Sequence, residues 1–337
     1  MKYHPPSFDL PCFFLSTPAL QSLAPTDIPG EHVPRSITRH VDSLEHPNFQ
    51  FSRCTGRKKA VCIGINYTGQ NSQLDGCVSD AKNMYRFLVD RLGFRSRDII
   101  RLTDDGGDPS NLPTRSNILG AIRWLVSGAH KHDSLFIHYS GHGSQVRDLN
   151  GDEVDGYDEV IFPLDYAQAG TVIDDVRIKP LPPGCRLTAV FDSCHSGSIL
   201  DVPYVYHSDG RVRSSSITRK FLAEKATPAE VICWSGSTDS GTSADVQGAG
   251  IAVGAMSFAF LSALGNRSRP TFEELLRDLR RATRKYHQKP QLSASHRIVS
   301  VIDMSQNRRR ILLRILIDVS SFDGMARMIS CVTYMYL

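Results

Sequence analysis

Five short apolar runs, each closed by glycine or polar residues and separated by stretches of helical period, constrain the fold of this chain more than any other feature. They are Lys59-Ala-Val-Cys-Ile-Gly-Ile65, Ile99-Ile-Arg-Leu102, Ser134-Leu-Phe-Ile-His-Tyr139, Arg186-Leu-Thr-Ala-Val-Phe191 and Glu230-Val-Ile-Cys-Trp234. Each is too short for a buried helix and reads as a strand covered on both faces. Between them, Ala81, Met84, Phe87, Leu88 and Leu92 recur at helical spacing from Asp80. Ile118, Ile122 and Leu125 do the same behind Pro113 and Thr114, and Phe272, Leu275, Leu276, Leu279 and Tyr286 mark another helix. Strands alternating with helices predict an α/β fold: a three-layer sandwich with a mostly parallel central sheet and helices on both faces.

The flanks of this pattern differ from it. Residues 1–56 carry seven prolines in the first 34 positions and no clear period, so they read as a short, poorly ordered leader. Between 206 and 229 the chain turns polar, with Arg211, Arg213, Arg219, Lys220 and Lys225 among serines, the composition of an exposed basic linker. That linker separates a larger front part, 57–205, from a smaller back part, 230–296, the two together expected to form one domain. The net charge of +4 lies mostly beyond it, in residues 297–337, where six arginines face three aspartates. The remainder is near neutral, which speaks against a nucleic-acid-binding face. No stretch reaches the roughly 18 apolar residues of a membrane span. Eight cysteines are scattered without a C-x-x-C pair, which fits reduced thiols and a cytoplasmic protein, with the nucleus as a second place, better than a disulfide framework.

Two glycine-rich turns carry the chemistry. Tyr139-Ser-Gly-His-Gly143 follows the third strand and Asp192-Ser-Cys-His-Ser-Gly197 follows the fourth. In an open α/β sheet, sites form beyond the carboxyl ends of strands. A thiol attacks a carbonyl only as thiolate, and its reference pKa of about 8.5 leaves little of that form at neutral pH. A neighbouring imidazole supplies the missing basicity and later protonates the leaving amine. Cys194 is therefore the candidate nucleophile and His142 its base, separated by the roughly 50 residues also found in caspases. A lone strand-end cysteine or histidine is more often structural; the pairing in two turns is what favours catalysis. His138 and His195 receive no role, and Cys77 and Cys233 read first as core.

These stretches, with Gly56-Arg-Lys-Lys-Ala-Val-Cys-Ile-Gly-Ile-Asn66, Leu74-Asp-Gly-Cys-Val-Ser-Asp-Ala81, Trp234-Ser-Gly-Ser-Thr-Asp-Ser-Gly-Thr-Ser-Ala-Asp245 and Gln288-Lys-Pro-Gln-Leu-Ser293, resemble a metacaspase of the fungal type I kind, in order, over about residues 54–296. The resemblance implies a caspase-like sandwich, a His–Cys dyad, calcium-dependent hydrolysis after Arg or Lys, and self-cleavage in a basic linker. It also implies that Asp80 and Asp192, with Cys77 and Ser140 beside them, line the pocket for the basic side chain. Charge agrees, since a carboxylate-lined pocket favours a cation; capping of the first helix is the other reading of Asp80.

The acidic loop Asp148–Glu159 matches an EF-hand at positions 1, 3, 5 and 12 but has Glu153 where that loop turns on glycine, so it does not read as an EF-hand. The resemblance implies instead a Ca2+ site from Asp158, Asp174, Asp175 and Asp201. Converging carboxylates repel unless a cation neutralises them; a solvated acidic loop is the plain alternative. Zinc lacks support, because His138 and His142 do not form H-E-x-x-H. The expected partners are peptide or protein substrates with Arg or Lys at the cut bond, acted on by a monomer. A non-catalytic scaffold of the same fold is the competing function. Residues 297–337 depart from the family pattern, and an altered gene model or read-through exon is the expectation for them.

Overall fold

A computed structural model describes residues 46–147, 156–173, 181–194, 196, 199–200, 202–206, 226–236, 245–248, 251–266, 270–286 and 288–298. Strand β1 (Lys58–Gly64) lies between β2 (Ile99–Thr103) and β3 (Ser134–Ser140); β7 (Arg186–Asp192) pairs with β3, and β9 (Glu230–Ser235) with β7, all in parallel. Two strands that the sequence pattern did not announce complete the sheet. β12 (Gln291–Ala294) runs antiparallel to β9, and β8 (Tyr204–Tyr206) antiparallel to β12, giving the order β2-β1-β3-β7-β9-β12-β8.

Alternation along the strands divides the interior into two apolar clusters. Ala60, Cys62, Phe136, Val190, Ile232 and Trp234 face one way and Val61, Ile63, Leu135, Ile137, Leu187 and Ala189 the other. Helix α1 (Cys77–Leu92) covers the first face with Ala81, Met84, Leu88 and Leu92, and stops at Gly93, whose φ of 65° allows its N–H to return to the Leu88 carbonyl. The same cluster is closed by α4 (Ala255–Asn266) through Met256, Ala259 and Phe260, and by α5 (Phe272–Thr283) through Leu275, Leu276 and Leu279. In α5, Thr271 and Glu274 form a reciprocal capping box. On the other face lies α2 (Arg115–Val126), capped by Thr114 and packed through Ile118, Ala121, Ile122 and Leu125. The described structure is thus a three-layer α/β sandwich around a mostly parallel sheet.

Smaller elements sit past the carboxyl ends of the strands. β4 (Gly143–Arg147), β5 (Tyr157–Ile161) and β6 (Val172–Ile173) form an antiparallel sheet, with a short α3 (Tyr166–Ala169) between β5 and β6. β10 (Asp245–Gly248) and β11 (Ile251–Gly254) form a hairpin that leads directly into α4.

At the opposite, amino-terminal end of the strands, residues 46–57 are pinned rather than loose. Gln50 N–H reaches the Pro228 carbonyl, Ser52 N–H the Glu230 carboxylate at 2.9 Å, Gly56 N–H the His132 carbonyl and Arg57 N–H the Asp133 carboxylate at 2.7 Å. Phe49 stacks on buried His296 with ring centres 4.5 Å apart. Glu230 also forms a buried ion pair with Arg186. The acceptors lie up to 178 positions away, so no local pattern marks this stretch as ordered.

Candidate active site

Strands β3 and β7 run side by side in register, Ser140 opposite Asp192, and both end there. Two residues further on, the turn after β3 presents His142 and the turn after β7 presents Cys194. The turns are tied together: Gly141 N–H donates to the Asp192 carbonyl at 3.3 Å, and Gly143 lies so close to the Cys194 carbonyl that a Cβ there would overlap it. Parallel pairing thereby brings the two sequence-assigned catalytic residues to one end of adjacent strands.

The Nε2 of His142 lies 2.6 Å from the carbonyl oxygen of Ser72. A carbonyl only accepts, so Nε2 carries the proton and the neutral ring keeps its basic lone pair on Nδ1. Ser72, which no sequence motif singled out, thus orients the imidazole through its backbone. Cys194 is half-buried, whereas Cys62, Cys185 and Cys233 are fully buried, and burial pushes their thiols up to about 12. Those three are inert core thiols; Cys194 is the accessible one at the strand ends.

Behind this pair two carboxylates converge. Asp80 is 1% exposed; its Oδ2 accepts from Ser140 Oγ at 2.7 Å, and its two oxygens accept from Gly254 N–H at 3.1 and 2.9 Å. Asp192 is 4% exposed and accepts from Ser257 N–H at 2.7 Å. Gly254 sits between them: a Cβ there would lie 2.6 Å from Asp80 Oδ2 and closer still to Asp192 Oδ2. Both carboxylates therefore take amide protons at the amino end of α4, where the helix dipole favours negative charge. Helix α1 starts at Cys77, three residues before Asp80, and its cap residue Gly76 makes no side-chain cap bond. The Asp80 carboxylate holds the start of α4 through the Gly254 amide. Asp80, Ser140 and Asp192 are thus joined around one point, and Cys77 lies one turn earlier on the same helix, buried.

His138 lies on β3, four residues before His142. It is fully buried, with Nε2 3.0 Å from Ser257 Oγ, and burial lowers its pKa to about 3, so the ring is neutral in the working range. His195 lies outside the described residues.

Of the residues assigned to calcium, Asp158 is buried on β5, the strand that pairs with β4 directly after His142. Asp174, Asp175 and Asp201 lie outside the described residues, and among the described residues no group of three or more His, Cys, Asp or Glu side chains is arranged to hold a metal. An all-carboxylate donor set has the chemistry of a hard cation such as calcium. Tyr67 and Tyr139, unassigned from sequence, enclose the backbone of His142.

A family model described as metacaspase, peptidase C14 domain, matches residues 58–203. Metacaspase-1 of Cryptococcus neoformans var. neoformans serotype D (strain JEC21) is 48% identical over 296 residues, covering 74% of this chain and 65% of that protein. Metacaspase-1A of Aspergillus clavatus is 47% identical over 294 residues, covering 74% of this chain and 68% of that protein. Metacaspase-1A of Aspergillus niger is 44% identical over 299 residues, with 75% and 74% covered. The chain spans 65% of the length of the Cryptococcus relative.

Proposed function

We propose, for a chain that belongs to the metacaspase family of C14 peptidases, that it is a cysteine endopeptidase cutting after Arg or Lys, with Cys194 as nucleophile and His142 as general base. The observation that carries the specificity is the convergence of two buried carboxylates, Asp80 and Asp192, beside the catalytic turns. A guanidinium or ammonium is the side chain that such a pocket attracts.

In the proposed reaction, His142 Nδ1 takes the proton of the Cys194 thiol and the thiolate attacks the scissile carbonyl carbon. Backbone amides in the Gly143 and Cys194 turns are the donors available to the tetrahedral oxygen. The C–N bond then breaks, the amine leaves with the proton held by His142, and a thioester remains. Water, deprotonated by His142, attacks the thioester; the carboxylate product departs and the thiol is restored. The imidazolium formed in each half-reaction keeps its Nε2–H on the Ser72 carbonyl, so the ring need not turn between steps.

Calcium dependence belongs to the same proposal. Asp158, Asp174, Asp175 and Asp201 would hold the ion, which would supply charge neutralisation beside the catalytic turn and take no part in bond making. Self-processing after Arg or Lys within 206–229, a cytoplasmic location and a monomeric state complete it. The test is hydrolysis of a peptide amide with Arg before the cut, with calcium and with chelator. Turnover is expected with calcium only, lost in Cys194→Ala and with Asp or Leu in place of Arg. Unchanged turnover in Cys194→Ala would end the proposal.

A further inference from the structure

We infer that Tyr67 is a positioning residue for the catalytic imidazole, acting through the backbone of His142 with Tyr139 as its counterpart. The inference rests on His142 being the base for Cys194.

Tyr67 lies just past β1 and is fully buried, yet its φ is 53°, a left-handed conformation that bulky residues avoid. Its neighbours hold it there. The carboxylate of Asp104 accepts from Asn66 N–H at 2.9 Å and from Thr68 N–H at 3.2 Å, one on each side of the strained residue. Gln70 N–H closes a turn on the Tyr67 carbonyl at 2.9 Å, Leu74 N–H reaches the Asn66 carbonyl at 2.7 Å, and Val78 N–H reaches the Asn66 side chain at 3.1 Å. Strain of this kind persists only where the surroundings over-determine it, and such residues gather at functional sites.

What the strained turn achieves is the placement of one hydroxyl. Tyr67 OH donates its single proton to the Phe162 carbonyl at 2.7 Å, so its oxygen accepts the His142 N–H at 3.0 Å. Tyr139 OH donates its own proton to the His142 carbonyl at 2.7 Å, and Phe162 N–H supports that carbonyl at 3.2 Å. The two phenol oxygens are 3.1 Å apart with both protons committed. Burial raises both phenols above their ordinary range, so they remain hydroxyls and serve as fixed donors, not proton carriers. The Tyr67 ring also lies against the imidazole, with centres 4.7 Å apart. The loop that bears Tyr67 also carries Ser72, whose carbonyl holds Nε2. One strained loop thereby fixes the amide and the ring of His142, Tyr139 fixes its carbonyl, and Nδ1 is left to meet the thiol.

A phenylalanine would fill the same space, so the hydroxyl is what the proposal concerns. Tyr67→Phe leaves the His142 N–H without its acceptor. We expect kcat on the Arg peptide amide to fall about 10- to 100-fold with KM within about threefold, as a small displacement of a catalytic group does. The pH profile of iodoacetamide alkylation at Cys194 should move to higher pH, because a displaced imidazole stabilises the thiolate less. Tyr139→Phe should move both readouts in the same direction. Phe136→Leu, in the cluster on the opposite face of the sheet, should lower thermal stability without moving the alkylation profile. Wild-type kcat and an unmoved profile in Tyr67→Phe and Tyr139→Phe overturn the inference. A wild-type protein that alkylates at Cys194 but does not cut the peptide defeats the substrate reading instead, and the alkylation profiles still decide the role of Tyr67.

Discussion

Replacing Gly143 by alanine separates the turns that bear His142 and Cys194, and the structure says by how much. A Cβ on Gly143 falls well inside 3.0 Å of the Cys194 carbonyl oxygen, a distance real Cβ atoms do not adopt, and 3.1 Å from both Cβ and Oγ of Ser193. The obstructing atom is backbone at the end of a fully buried strand, so no side chain can swing aside. Relief requires the turns to part by roughly half an ångström or more, and a catalytic misplacement approaching 1 Å costs on the order of 100-fold. We expect kcat/KM for the Arg peptide amide to fall about 10- to 100-fold, mostly in kcat. The accompanying loss of stability is about 1–3 kcal/mol, the usual cost of overpacking. Steady-state hydrolysis measured together with a urea melt reads both. Activity within a factor of about three of wild type would refute the reasoning, since the turns would then tolerate a separation that this magnitude forbids.

Gly254→Ala places its methyl against Asp80 and Asp192, so it should raise KM for Arg substrates while Cys194 alkylates at the wild-type rate, as kinetics and thiol labelling would show. Asp80→Asn and Asp192→Asn each remove one negative charge from the proposed pocket and should raise KM for Arg substrates about tenfold or more with a smaller change in kcat; an unchanged KM in steady-state assays would exclude them from substrate contact. Burial lowers His138 to about 3 and His296 to about 4, against 6.5 for an unperturbed imidazole. The unfolded chain therefore takes up protons first as pH falls: stability is complete above about pH 6.5 and declines below it by about 1.4 kcal/mol per pH unit for each ring. Urea melts at pH 7 and pH 5.5 should register this, and His296→Gln should lessen the difference. Glu230→Gln leaves the buried Arg186 guanidinium without its carboxylate and should cost about 3–5 kcal/mol by denaturant unfolding.

The strands that sequence announced are those with both faces covered, where burial forces an unbroken apolar run: the stretches from 59, 99, 134, 186 and 230 all form β-strands. The two turns proposed for catalysis stood out in the sequence because thiol chemistry needs particular residue types at strand ends. What sequence hid has physical reasons. β12 has the sequence QLSA and β8 only three residues, and in β12 even Gln291 and Ser293 are buried, so polarity misleads there. Helix α4 carries apolar residues on most sides and shows no single stripe. Ser72 acts through a carbonyl, which every residue type possesses. Tyr67 acts through a turn whose constraints come from Asp104, far along the chain. Asp80 and Ser140 were read together only through the family resemblance, and the bond from Asp80 to the amide of Gly254 spans 174 positions, which no local capping rule predicts.

The order of strands in the main sheet bears on what a proteolytic nick could accomplish. β8 precedes the basic stretch 206–229 in sequence, yet it lies outside β12, which follows that stretch. The carboxyl-terminal fragment left by a cut there would contribute β9 and β12, clasped between β7 and β8 of the amino-terminal one, with Ser52 still bonded to Glu230 at the far pole. Such a cut would then release no fragment. Severed molecules would migrate as two bands after denaturation but elute from a sizing column as a single particle, and scission could change the behaviour of loops without ever changing the stoichiometry.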